Sequence, residues 1–197
     1  MHTILLDLQG DYSAILERVV AVLQRGGTAV FPTDTLYGLG CNALDAHAVG
    51  QVFDIKHRSY VKALPMMVRD ISWARELAYI TPQQEQLISH FWPGKVTFVL
   101  PRRPIVPAIM CGGGQTIGIR APAFPFVQEL LRHLGYPLAG TSVDIPGLAL
   151  VAPQPDIIVD AGVLPSSEPS TVVDLSGRIP RILRQGAVRA DKILALL

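Results

Sequence analysis

Residues 31–40 read FPTDTLYGLG, placing the hydroxyls of Thr33, Thr35 and Tyr37 and the carboxylate of Asp34 directly behind the apolar run Ala29-Val30-Phe31. Small polar side chains where a buried strand ends can do one of two things. They can cap the backbone that follows, as threonine and aspartate do in turns, or they can select a small polar ligand, because ligands of α/β sheets collect at strand ends. Pro32 cannot donate to a sheet ladder and takes the chain out of the sheet, and Gly38 and Gly40 allow turns or close backbone approach. A second set of groups follows. Lys56, Arg58 and Lys62 lie within seven positions, and Arg120 and Arg184 close the strand-like runs TIGI and RIL. Cations at a helix end can complement its C-terminus, worth roughly 0.3 to 1 kcal/mol each. Cations that converge can instead hold a phosphate chain, arginine as a planar fork and lysine as a mobile point charge.

The elements that must position these groups alternate between helix and strand patterns. Residues 14–23 carry Ile15, Val19 and Val22 at helical spacing, and Gly26-Gly27 supplies a stop before the strand-like TAVF. Asp45 is placed to cap a helix over AHAVGQVFDI, with Val49, Val52 and Phe53 on its apolar side. ALPMMV, KVTFVLP, TIGIRAP, PLAGT, DIIVD, STVVDL and RILR read as strands, and TPQQEQLISHF and PFVQELLRHLG as helices. This mixture predicts an α/β fold with a twisted mixed parallel/antiparallel sheet and flanking helices. Pro153 to Ser170, with four prolines, is the most loop-like stretch of the second half. Three more features carry two readings each. His57 is a titrating group or a solvated helix-end residue. Gly112-Gly113-Gly114 is an anion nest or a flexible loop that could move as a lid. Trp92 is a base-stacking surface or a core plug.

Composition bounds the function. The 197 residues suit one domain, and 49% hydrophobic with 17% charged residues describes a folded chain with no apolar stretch near the roughly 18 residues of a membrane span. MHTILLDLQGDY has none of the marks of an export signal, so a cytoplasmic protein without membrane association is expected. Cys41 and Cys111 lack metal-ligand spacing. A formal charge of +1 excludes a globally basic nucleic-acid binder and leaves room only for a concentrated anion site.

FPTDTLYGLG, IKHRSYVKALPMMV, WPGKVTFVLP, GIRAPAFP, PLAGTSVDIPG, STVVDL and ILRQGAV, in this order, resemble the YrdC-like family, which includes YciO-type proteins and threonylcarbamoyl-AMP synthases. The resemblance covers nearly the whole chain and implies a single YrdC-like domain, 1–197, with a positively charged groove. It looks like the short single-domain form. Synthase members join L-threonine, bicarbonate or CO2 and ATP into threonylcarbamoyl-AMP and pyrophosphate, for threonylcarbamoyladenosine modification of tRNA. The resemblance implies Lys56 and Arg58 as catalytic residues. It implies Thr33, Thr35, Tyr37 and Lys62 around L-threonine. For the nucleotide it implies Lys56, Arg58, Pro65, Met67, Arg120, Thr141, Ser142, Asp144, Ser170 and Arg184. Mg²⁺ would travel with ATP, and RNA (double-stranded RNA binding included) or tRNA-modification proteins would be partners.

Two departures keep other readings open. Ser142-Val143-Asp144 stands where many members have Ser-Ala-Asn, and two like charges about 4 Å apart repel by roughly 4 kcal/mol at an effective dielectric near 20. Asp144 therefore calls for Mg²⁺, an arginine partner or a different ligand. The stretch from Gly147 to Ser170 is also short for a segment that usually holds another helix. A YciO-like protein with an altered nucleotide or carbamoyl substrate, or an RNA-binding module without synthase activity, are the alternatives.

Overall fold

The strand Ala29–Phe31 (β2) shows how the sheet is built: Val30 enters one apolar core, while Ala29 and Phe31 enter another. The same division recurs at Ile158 against Ile157 and Val159, at Ala139 against Leu138, and at Met66 against Met67. Alternate side chains of a strand point to opposite faces, so these strands are buried on both sides and helices must cover both. The structure, a computed structural model, describes residues 2–148 and 152–196.

On one face lie α1 (Ser13–Gln24) and α5 (Pro125–Leu134), with Tyr12 edge-on to Phe126 at 5.5 Å. The buried stripe of α1 is Leu16, Val19 and Leu23; Ile15 and Val22 flank it half-buried, one position off the expected register. On the other face lie α2 (Ala46–Ile55), α3 (Ile71–Leu77) and α4 (Pro82–Phe91). Asp45 caps α2 as expected, its carboxylate accepting from the His47 and Ala48 amides at 2.9 and 3.2 Å. Thr81 and Gln84 close a reciprocal capping box on α4. Two short helices, α6 (Ile145–Leu148) and α7 (Ala190–Leu194), complete the set.

The remaining strands are β1 (His2–Leu5), β3 (Gly38–Asn42), β4 (Met66–Met67), β5 (Val96–Pro101), β6 (Thr116–Arg120), β7 (Leu138–Ser142), β8 (Ile157–Asp160), β9 (Thr171–Asp174) and β10 (Arg181–Arg184). Their order is β1-β8-β2-β3-β7-β4-β6-β5-β9-β10. Pairs β1/β8, β2/β8, β4/β6 and β5/β9 are parallel; β2/β3, β3/β7, β4/β7, β5/β6 and β9/β10 are antiparallel. The expected mixed sheet is therefore present.

Gly38 and Gly40 serve a strand rather than a turn. A Cβ on Gly40 would stand 2.5 Å from the Ala139 carbonyl and 3.1 Å from the Phe31 ring, so the close-approach reading holds at this position. The strand expected over ALPMMV shrinks to Met66–Met67. The Ala63 carbonyl accepts from Arg58, the Leu64 amide donates to the Met110 carbonyl, and Pro65 has no amide to offer. Gly112, at φ +58, ends the 3-10 turn Ala108–Cys111, and its missing side chain leaves room for the Val61 carbonyl. Trp92 is a core plug: its Nε1 donates to the Val96 carbonyl at 2.8 Å, and its ring lies 5.8 Å from that of Phe98.

Candidate active site

The loop from Pro32 to Tyr37 joins β2 to β3, and its hydroxyls are ordered by a proton count. The Thr33 hydroxyl donates to the Leu36 carbonyl at 2.7 Å and accepts from the Thr35 and Leu36 amides at 3.1 and 3.3 Å. Its one proton is spent, so at 3.1 Å it is the Thr35 hydroxyl that donates to Thr33. The Thr35 hydroxyl in turn accepts from Arg120 Nη1 at 3.0 Å. Thr33 thus follows the turn-capping reading, and Thr35 keeps acceptor capacity alone, the complement of an N–H group.

Arg120, the last residue of β6, fixes this loop from across the sheet. Its Nε donates to the Gly94 carbonyl at 2.8 Å and its Nη2 is paired with Asp34, whose other oxygen accepts from the Ala123 amide at 3.2 Å. Both side chains of the pair are only 10% exposed. Burial pushes the Arg120 pKa down, Asp34 opposes this by attraction and hydrogen bonding, and the nearby Arg184 adds to the lowering. Two guanidinium groups therefore share one floor, and one of them is neutralised.

Arg184 is held by Ser170, donating through Nε and Nη2 to its carbonyl at 3.1 and 2.8 Å and through Nη2 to its hydroxyl at 3.2 Å. The Ser170 hydroxyl lies 2.9 Å from that of Thr97. The turn behind Arg184 is stitched to Thr171, whose hydroxyl accepts from the Gly186 and Val188 amides at 3.1 Å each.

Lys56 and Arg58 are presented by the end of α2. Arg58 N donates to the Phe53 carbonyl and His57 N to the Asp54 carbonyl, with His57 at φ +46, the pattern of a Schellman stop. His57 is a solvated helix-end residue. Arg58 Nη2 donates to the Ala63 carbonyl at 3.0 Å, folding the loop back beneath the guanidinium.

These groups line two contiguous cavities of about 210 and 550 Å³, which share Thr35, Leu36, Tyr37 and Ser142. The smaller, inner cavity carries Thr33, Arg58, Arg120 and Arg184 as its polar wall, with Pro65 and Met67 on its apolar side and Thr141, Ser142 and Ser170 between them. The outer cavity carries Lys56 and Asp144. Of the residues expected from the sequence, Lys62 lies apart: it is exposed and lines neither cavity. Asp144 has neither an arginine nor a lysine partner within 4 Å among the described residues; its Oδ2 accepts from the Gly147 amide at 3.2 Å and so caps α6. Residues 149–151, inside the segment expected to be short, lie outside the described residues.

Tyr37 has a structural task besides lining both cavities. Its hydroxyl donates to the Gly162 carbonyl at 2.7 Å and accepts from the Ala161 amide at 2.9 Å, with Asp160 Oδ1 3.3 Å away. Burial raises its pKa, and the Asp160 carboxylate adds to this against the Ala161 amide. Tyr37→Phe is expected to lower stability by about 0.5 to 1.5 kcal/mol, the net worth of a hydrogen bond, since water can reach the half-covered Ala161 amide once the hydroxyl is gone; urea unfolding followed by circular dichroism measures this.

Thr97 belongs to the site and went unnoticed in the sequence, although it is a lone hydroxyl inside the apolar run KVTFVLP and is 5% exposed. Ser166 and Ser167 in the proline-rich stretch also line the outer cavity. Among the described residues, no three His, Cys, Asp or Glu side chains are grouped to hold a metal ion, and no helix is long and apolar enough to cross a membrane.

Comparison with known proteins gives consistent relatives. The family model Sua5/YciO/YrdC, described as "Telomere recombination", matches residues 21–186. The threonylcarbamoyl-AMP synthase of Pyrococcus abyssi is 33% identical over 186 residues, covering 87% of this chain and 54% of that protein. The protein YciO of Escherichia coli K12 is 30% identical over 184 residues, covering 87% of this chain and 89% of YciO. Among solved structures, P. abyssi Sua5 complexed with L-threonine superposes with a TM-score of 0.89 at 28% identity, over 100% of this chain and 60% of that one. E. coli YciO superposes with a TM-score of 0.84 at 29% identity, over 98% and 97%. The chain spans little more than half the length of the P. abyssi synthase and of its Bacillus subtilis counterpart. With the family model matched over most of its length and the fold shared across the whole sheet, the chain belongs to the Sua5/YciO/YrdC family.

Proposed function

We propose that this chain is an ATP-dependent nucleotidyltransferase that makes threonylcarbamoyl-AMP and pyrophosphate from L-threonine, bicarbonate or CO2 and ATP, supplying tRNA modification in the cytoplasm, with residues 1–197 acting as one YrdC-like domain. The observation that carries the reading is the gathering of threonine hydroxyls and three arginines in one cavity that opens into a second holding Lys56. The chemistry asks for little else. The threonine amine takes up CO2 to become an N-carboxy group, one of its oxygens attacks the α-phosphorus, and pyrophosphate leaves. No protein nucleophile is needed, so catalysis reduces to alignment and neutralisation of phosphate charge.

In this reading Thr35, an acceptor by its proton count, takes an N–H of the threonine amine, while Arg120 and Arg184, with N–H groups left over, receive carboxylate oxygens. Lys56 and Arg58 bracket the phosphates at the junction of the cavities, and Pro65 and Met67 form the apolar wall toward the adenylate. Mg²⁺ enters as part of the nucleotide, since it keeps waters and uses substrate phosphates rather than a protein cage. Supporting the reading, a P. abyssi relative carries the name threonylcarbamoyl-AMP synthase, and the structure of P. abyssi Sua5 contains L-threonine.

A second reading, a YciO-like enzyme with a different acceptor, is favoured by Asp144, which has no cationic partner among the described residues, and by the match to nearly the full length of YciO. Pyrophosphate release from ATP, Mg²⁺ and bicarbonate separates the two. Release that requires L-threonine supports synthase activity; release with other amino acids but not threonine overturns it in favour of the second reading. Absence of release, with salt-sensitive RNA binding, would point to a binding module instead.

A further inference from the structure

We infer that Thr97 is a positioning residue of the inner cavity: through the Ser170 hydroxyl it steadies Arg184 and leaves one hydroxyl proton for an anionic oxygen of the ligand. The inference deepens the reading above, in which Arg184 receives a carboxylate oxygen of L-threonine, and rests on it. In β5 the side chains of Val96, Phe98 and Leu100 enter the core shared with α2, α3 and α4, so Thr97 faces the opposite side of the sheet, where the inner cavity lies. The strand β5 runs between β6 and β9, and Thr97 uses both neighbours. Its methyl packs over the bare backbone of Gly118 in β6, where a Cβ would stand 3.3 Å from it, and its hydroxyl meets that of Ser170, just ahead of β9, at 2.9 Å. A β-branched side chain has few χ1 choices, and here both branches are engaged.

The line of contacts ends at Arg184. Among the described residues, Ser170 alone accepts from the Arg184 side chain, and Arg184, unlike Arg120 with its Asp34, belongs to no ion pair. Ser170 therefore sets where this guanidinium points, with Nη1 left for a ligand. A proton count gives the character of the hydroxyl pair. Ser170 Oγ accepts from Arg184 Nη2, and among the described residues the only other partner of either hydroxyl is the other one. Two hydroxyls bring two protons, of which one lies between them; the second has no acceptor among the described residues and is offered to the cavity that both side chains line. Thr35 thus presents an acceptor, and the pair of Thr97 and Ser170 presents a donor beside Arg184. An amino acid, with N–H groups at one end and a carboxylate at the other, matches that polarity. Without the Thr97 hydroxyl, that of Ser170 turns freely and Arg184 loses part of its brace.

The test measures L-threonine binding by isothermal titration calorimetry for the wild type, Thr97→Val, Thr97→Ser, Ser170→Ala and the double variant Thr97→Val/Ser170→Ala. Valine keeps the shape and strand preference of threonine, so β5 is retained. Thr97→Val is expected to weaken binding about tenfold, roughly the worth of one hydrogen bond, and Thr97→Ser, which keeps the hydroxyl and drops the methyl, by about threefold or less. In the Ser170→Ala background Thr97→Val should add no more than about twofold, because a residue that acts through another has nothing left to act on. Wild-type affinity in Thr97→Val, a loss in Thr97→Ser equal to that in Thr97→Val, or losses that multiply in the double variant would each overturn the inference and leave the L-threonine reading intact. Absence of L-threonine binding by the wild type overturns both.

Discussion

Lys56→Ala and Arg58→Ala are each expected to lower the rate of adenylate formation by about 100-fold or more, the usual cost of removing one preorganised donor from developing charge. Far-ultraviolet circular dichroism should stay that of the wild type, because the Schellman stop that presents both side chains is made by backbone atoms. Lys62→Ala, whose side chain lines neither cavity, is expected to cost about tenfold or less. Wild-type turnover in both of the first two variants, or an equal loss in all three, would show that the cations act as a diffuse patch and not as residues of a built site.

Asp34→Ala is expected to have the largest effect on stability. Asp34 and Arg120 are both about nine-tenths covered, and removing one partner of such a pair leaves a buried charge without compensation, at a cost of about 3 to 5 kcal/mol. Against a typical total of roughly 5 to 15 kcal/mol, that is a large fraction. Asp34→Asn, which can still accept from Arg120, should lose less. Urea unfolding at equilibrium measures both, and a change below about 1 kcal/mol for Asp34→Ala would show that water reaches Arg120 when its partner is gone.

How much of this could be seen in the sequence depended on how far apart the partners lie. The α2 helix and its cap were legible because Asp45 and the Val49, Val52, Phe53 stripe lie within one window. The α3 helix carries a similar signal, Asp70 accepting from the Trp73 amide ahead of ISWAREL, and it was passed over because so short a helix offers little periodicity. The β1 strand was missed for a different reason: as an edge strand with little burial it does not show an alternating pattern, and its partner β8 lies far along the chain.

The β3 strand is hard to see in the sequence because glycine fits a turn as well as a close backbone approach, and only the Phe31 ring and the Ala139 carbonyl decide for close approach at Gly40. The cations and hydroxyls of the candidate site could be picked out by residue type and by family resemblance. Their division of labour could not. That Arg120 is neutralised by Asp34, 86 residues away, depends on a contact made only when the sheet closes, whereas the bond that spends the proton of Thr33 on Leu36 is local to one loop. Lys62 shows the converse: its spacing from Lys56 and Arg58 suggested a shared site, and the fold of the loop beneath Arg58 leaves its side chain in solvent.

The most direct test of the central claim is mass-spectrometric detection of threonylcarbamoyl-AMP after mixing the purified protein with ATP, Mg²⁺, L-threonine and bicarbonate, beside an active synthase as control. A product peak that disappears when L-threonine is omitted is the predicted result. No peak from this protein while the control makes product would contradict synthase activity and shift the assignment to another acceptor or to binding alone.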